Sequence, residues 1–194
     1  VGKTLDLNAG ATGTIDVNGI LDNVSLLKIT NSNGTRFHGT LGAANPGAVT
    51  ITDTAPGQAV SFLGNAHITT LTTFNKPYRI SFTGTTNVID NAVTFDNTGG
   101  ATFGDAATDS MEFTGGGNVT AATLASGTIV TVGTPLTLAA LTIVENGDVT
   151  LRSSGGAITV TGAVTGTTAG GDEARTVNAG TGAVGPGNSA GAGG

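Results

Sequence analysis

The stretch VTFDNTGGA, Val93 to Ala101, aligns without a gap on VTLRSSGGA, Val149 to Ala157. Each opens on Val-Thr and a third apolar residue, crosses a polar turn and leaves through Gly-Gly-Ala. Val93 and Phe95 fall on one face of an extended chain and Thr94 on the other, which is the period-two signature of a half-buried strand. The two glycines supply the turn that follows. A second echo joins Asn8-Ala9-Gly10 to Asn178-Ala179-Gly180 near the other end of the chain. Together they predict a degenerate strand-turn-strand repeat.

Outward from these phrases the same rhythm continues. Short apolar or Thr-rich runs return roughly every ten residues, each closed by Gly, Asn, Asp or Pro. Candidate strands start near Thr4, Thr14, Ser25, Arg36, Val49, Ala59, Ile68 and Tyr78, then near Asn87, Val93, Ala101, Ser110 and Asn118, and on through Thr128, Leu136, Leu141, Asp148, Ala157 and Thr176. Ile15-Asp16-Val17 and Ile158-Thr159-Val160 repeat the alternation, so each strand buries one side.

Composition agrees. The 194 residues include 33 Gly and 36 Thr, whereas charged residues are 10% and aromatics 4%. Thr is β-branched and suits a pleated surface, while the strong helix formers are scarce, so helix has little support. A hydrophobic fraction of 38% separates the chain from disordered polymers, which combine low hydrophobicity with high net charge.

Two all-β architectures fit: a parallel β-solenoid (β-helix), and a β-sandwich as the alternative. With no Trp, one Tyr and seven Phe, the chain lacks the large aromatic anchor usual in a sandwich but can fill the narrow interior of a coil, so the solenoid is expected. Coils of roughly 20 to 25 residues would make about eight or nine turns and a rod on the order of 40 Å long. The solenoid domain is placed at 1–184 and a Gly-rich tail, GPGNSAGAGG, at 185–194.

Charge and cysteine narrow the function classes. The formal charge is −6 and the seven basic residues are scattered, which argues against a nucleic-acid partner, because tracking phosphates requires clustered Lys and Arg. No apolar run is long enough for membrane insertion as a helix. Cys is absent, so disulfides and thiolate metal sites are excluded. The numbering opens at Val1, and a secreted, extracellular or cell-surface chain whose leader has been removed is the expected context.

Catalytic constellations are sparse. His38 and His67 have no partner at metal-ligand spacing and read as surface or corner residues. Asp105, Asp109 and Glu112 form the densest acidic cluster; a solvated turn is the plain explanation, and Ca²⁺ is the weak candidate ligand, since it favours several carboxylate and carbonyl oxygens. No other cofactor is expected, and the chain is not expected to be an enzyme.

Contact surfaces are the remaining candidates. Phe74-Asn75-Lys76-Pro77-Tyr78-Arg79 holds the sole Tyr beside a Lys and an Arg, a composition enriched in recognition hot spots, and Lys76, Tyr78 and Arg79 are its candidate contact residues. At the chain ends, Thr4, Leu5, Asp6 and Leu7 and the tail residues Gly185, Pro186 and Gly187 are candidates for strand pairing between copies.

The phrases VTFDNTGGATFGDAATDSMEFTGG (Val93 to Gly116), GDVTLRSSGGAITVTGAVTG (Gly147 to Gly166) and TVNAGTGAV (Thr176 to Val184) resemble the β-strand repeats of large bacterial surface proteins, the filamentous-haemagglutinin-like and autotransporter-like adhesins. The resemblance covers the chain best from about Phe74 onward. It implies a secreted, repetitive solenoid that displays or assembles. The functional expectation is therefore a structural subunit of a surface filament or matrix, partnered by copies of itself. The alternatives are an adhesin module for surface glycans or host surfaces, and a polysaccharide lyase or hydrolase on a β-helix.

Overall fold

A computed structural model describes residues 2–144, 148–166 and 174–185 and the strand placement of 188–189. Among these the chain forms strands and turns and no helix. The first coils carry two strands each: β1 (Thr4–Asn8) and β2 (Ile15–Val17), β3 (Leu26–Asn31) and β4 (Thr35–Phe37), β5 (Gly47–Ile51) and β6 (Ala59–Phe62), β7 (Ala66–Thr72) and β8 (Arg79–Phe82). Later coils carry three. They are β9 (Thr86–Ile89), β10 (Val93–Phe95) and β11 (Ala101–Phe103); β12 (Ser110–Phe113), β13 (Gly117–Val119) and β14 (Ala122–Leu124); and β15 (Gly127–Thr131), β16 (Leu136–Leu138) and β17 (Leu141–Ile143). The last two are β18 (Asp148–Ser153), β19 (Ile158–Val160) and β20 (Ala163–Gly166), then β21 (Ala174–Asn178), β22 (Val184–Gly185) and β23 (Asn188–Ser189).

Every strand pairs in parallel with the equivalent strand one coil away. A first sheet runs β1-β3-β5-β7-β9-β12-β15-β18-β21 and a second β2-β4-β6-β8-β11-β14-β17-β20-β23, each of nine strands. A third, β10-β13-β16-β19-β22, has five. The protein is a parallel β-solenoid, and the sandwich alternative falls because strands return after a full coil instead of folding back as hairpins. Side-chain hydrogen bonds between coils join residues 19 to 27 positions apart, around the expected coil length. Pairing also continues past residue 184: Val184–Gly185 lie beside β19 and Asn188–Ser189 beside β20, so the Gly-rich segment begins inside the solenoid. The sequence rhythm had not separated β14, β20, β22 or β23.

Alternation explains the core. Phe37, Phe62, Phe82 and Phe103 occupy one inward column of the second sheet. Their rings stack at centroid distances of 5.2, 4.7 and 6.2 Å. Such pairs add about 0.5–1.5 kcal/mol beyond area burial. Leu124 and Ile143 continue the column, while Phe95, Phe103 and Phe113 meet edge to face. On the outward side of the same sheet stand Ser61, Ser81, Thr102, Thr123, Thr142 and Thr165 in register.

Corners are set by glycine where backbones stack. Gly39, Gly64 and Gly84 turn successive coils in one column, and a Cβ on Gly64 would stand 2.5 Å from the Gly39 carbonyl oxygen. The sequence echoes divide into two kinds. VTFDNTGGA runs from the third sheet into the second, whereas VTLRSSGGA runs from the first into the third, so the match marks a shared kind of corner at different places in the coil. The Asn-Ala-Gly echo is different. It falls at the same place, the exits of β1 and β21 in the first sheet.

Candidate functional site

The two ends of the first sheet have the same construction. At one end the Gly10 N–H donates to Asn8 Oδ1 at 3.1 Å, and at the other the Gly180 N–H donates to Asn178 Oδ1 at 3.0 Å. Both glycines have left-handed backbone, φ 68° and 60°, the conformation that glycine adopts without steric cost. Among the described residues β1 has a strand beside it on one edge only, and so has β21. Leu5 and Leu7 lie in the inward columns of Leu27 and Ile29 but are half-buried, whereas Leu27 and Ile29 are buried. Thr4 and Asp6 point outward. The Asp6 carboxylate accepts from Thr30 Oγ1 at 2.6 Å and from Lys28 Nζ at 3.4 Å. The Thr30 hydrogen bond, with Lys28 behind it, holds its carboxyl below the ordinary range despite a small desolvation cost. Gly185 is half-buried beside Thr159, and Pro186 and Gly187 lie outside the described residues.

The patch around Tyr78 needs correction. Its ring is fully buried, and its hydroxyl donates to the Ile51 carbonyl at 2.8 Å and accepts the Phe74 N–H at 3.1 Å. Burial pushes the phenol up to about 12; the Phe74 amide opposes this, and Asp53 and Asp96 reinforce it. Tyr78 is therefore an internal strut, not a contact residue. The two-sheet coils leave a side for the 73–78 segment to cover, and the aromatic ring fills that space. Lys76 is exposed and faces Asp53 at 3.7 Å. Arg79 is exposed at the start of β8.

Instead, the exposed aromatic of the segment is Phe74, 44% accessible. It borders an open groove of about 750 Å³ that also touches Thr72, Thr73, Asp96, Thr98 and Thr120. These residues come from three successive coils, at the step where the third sheet begins with β10. Thr73 closes that step: its Oγ1 accepts the Asp96 N–H at 2.8 Å and donates to the Thr94 carbonyl at 3.3 Å. Sequence inspection reached Phe74 but not Asp96 or Thr98. The signal that would have joined them is the coil period, about 22 residues.

The acidic cluster builds a turn. Asp109 is buried, and its Oδ2 accepts the backbone N–H groups of Asp105 and Ala106 at 2.8 and 3.0 Å. Desolvation, followed by the hydrogen bond and charge of Asp109, raises the Asp105 carboxyl. Glu112 sits in β12 and accepts from Thr114 Oγ1 at 3.0 Å. Among the described residues no three His, Asp or Glu side chains gather as metal ligands. The histidines pair with carboxylates one coil away, His38 Nε2 with Asp16 at 3.2 Å and His67 Nε2 with Asp90 at 2.9 Å, on partly exposed faces. Such pairs tie neighbouring coils, and Arg36 also faces the Asp16 carboxylate at 3.9 Å. No protein-family model, curated protein or solved structure matches this chain.

Proposed function

We propose that the chain is a non-catalytic extracellular structural element that extends its solenoid through other copies of itself, end to end. The observation that carries this reading is the matched pair of ends: β1 and β21 are both five-residue strands of the same sheet, and each leaves through the same Asn-Ala-Gly turn. Setting Asn8 of one copy beside Asn178 of another brings Leu7 next to Val177 and Asp6 next to Thr176, continuing the inward and outward columns. Among the described residues the outer edges of β1 and β21 have no partner strand, so their N–H and C=O groups supply the ladder, and burying Leu7 beside Val177 adds an apolar contribution.

Arg175 gives the junction selectivity. It lies in the inward column beside Val149 yet is exposed at the edge. A charge placed there discourages pairing with arbitrary strands; in this register it stands beside Leu5, whose side chain its methylene stem can cover while the guanidinium reaches the rim.

Negative-stain microscopy and sedimentation velocity over a concentration series test the proposal. End-to-end rods in multiples of the single length, about 40 Å from the strand spacing, and a sedimentation coefficient that rises with concentration are expected. Single rods of one length at every concentration would overturn it.

A further inference from the structure

We propose that the groove beside Phe74 binds a pyranose oligosaccharide that carries no acidic groups, a role independent of end-to-end assembly. Its volume of about 750 Å³ lies within the roughly 300–1,000 Å³ typical of small-molecule sites. The groove arises where two-sheet coils give way to three-sheet coils. There the 73–78 segment lies one coil from the chain leaving β10, the Thr98 N–H donating to the Lys76 carbonyl at 2.9 Å, and the groove opens beside them.

Its walls have the chemistry of sugar recognition. A pyranose presents an apolar C–H face and a rim of hydroxyls, so it needs an aromatic platform and polar groups set around it. Phe74 provides the platform. The ring is exposed, but its backbone is fixed, because the Phe74 N–H is held by the Tyr78 hydroxyl, itself anchored on the Ile51 carbonyl. Around it Thr72 and Thr98 offer exposed hydroxyls, Thr120 one that already donates to the Phe95 carbonyl at 3.2 Å, and Asp96 an exposed carboxylate. The floor is fixed as well. Thr73 Oγ1 bonds to both Asp96 and Thr94, and Asn97 Nδ2 donates to the carbonyls of Tyr78 and Gly100 at 3.1 and 2.8 Å. A site that is ordered before binding loses less entropy when it binds.

Charge selects among sugars. Asp96 is the charged residue lining the groove, and Lys76 is engaged with Asp53 outside it. The negative field of Asp53 and Asp96 already registers at the Tyr78 phenol. Neutral and amino-bearing glycans fit this field, and uronic acids are repelled.

Saturation-transfer NMR on the purified chain, with cellotetraose, the glucosamine tetramer and tetragalacturonate as separate probes, decides the matter. Transfer to cellotetraose or to the glucosamine tetramer at millimolar concentration, with none to tetragalacturonate, is expected. Phe74→Ala should weaken that binding about tenfold or more while leaving the thermal melt unchanged, since the side chain is exposed. Absence of transfer to both non-acidic probes, stronger transfer to tetragalacturonate, or equal binding by Phe74→Ala would overturn the proposal. Because the readout is binding by single chains, it can fail while assembly stands, and the reverse.

Discussion

The four N-terminal coils and the five that follow solve the same packing problem differently. In the first group two sheets face each other and irregular segments cover the third side; in the second a third sheet replaces those segments. Aromatic rings fill both, but differently: Phe37, Phe62 and Phe82 stack face to face in the two-sheet coils, with Tyr78 buried beside them, whereas Phe95, Phe103 and Phe113 meet edge to face where the third sheet begins. Irregular covering also buries polar groups that need partners. Ser32 Oγ therefore bonds to Thr35 Oγ1 at 2.9 Å and to Thr54 Oγ1 at 2.7 Å. Where three sheets close the coil, neighbouring coils satisfy the backbone, and aliphatic columns such as Leu136 with Ile158 suffice. The lesson is that the arrival of a third sheet changes how the interior rings pack, from stacked to edge to face, before aliphatic columns take over.

Removing one ring is the most severe challenge to that contrast. Phe62 is stacked on both sides, and Phe62→Ala should cost about 3–5 kcal/mol in urea unfolding. Because coils contact only their neighbours, amide protection should fall in the N-terminal coils and persist from β12 onward. Uniform loss of protection would show that the halves are not separable.

Tyr78 sharpens the comparison by pH. Burial pushes its folded phenol up to about 12, above the ordinary value near 10. The folded chain keeps a proton that the unfolded chain releases, so the contribution is fully present below pH 10 and is lost between about pH 10 and 12. The loss is on the order of 2–3 kcal/mol. As the sole Tyr of the chain, it can be followed directly by ultraviolet titration against circular dichroism. Ionisation near pH 10 without loss of structure would contradict the burial.

Corner glycines give the smallest effect. Gly64→Ala places a methyl against the Gly39 carbonyl and should destabilise by about 1–3 kcal/mol. Gly19 has open space where its Cβ would stand, so Gly19→Ala should stay within about 0.5 kcal/mol of the parent. Equal effects would mean that stacking distance is not what requires glycine there.

Strand identity and the solenoid itself were legible in the sequence, because alternation such as Ile158-Thr159-Val160 follows from local geometry alone. Coil phase was not. VTFDNTGGA and VTLRSSGGA are alike since both need a strand, a Gly-Gly corner and another strand, and nothing local tells which sheet receives them. Tyr78 misled for a related reason: an aromatic between Lys76 and Arg79 looks exposed until Ile51, a coil away, is placed beneath its hydroxyl. The groove depends on Phe74 and Asp96 meeting across coils, and the variable lengths of the corners hide that register. The Asn-Ala-Gly echo, by contrast, was readable because its Asn side chain bonds to the amide two residues on.

Disulfide trapping between the ends tests the central claim most directly. The chain has no cysteine, so Asp6→Cys with Thr176→Cys introduces the only thiols, on outward faces of β1 and β21 at opposite ends of the first sheet. In an end-to-end stack those two positions adjoin within the roughly 4.4–6.8 Å that a disulfide spans. Mild oxidation should give a ladder of dimers, trimers and longer species, whereas Asp6→Cys with Thr150→Cys, the latter in an interior coil, should give none. A ladder no stronger than that of the interior pair would contradict head-to-tail continuation of the solenoid.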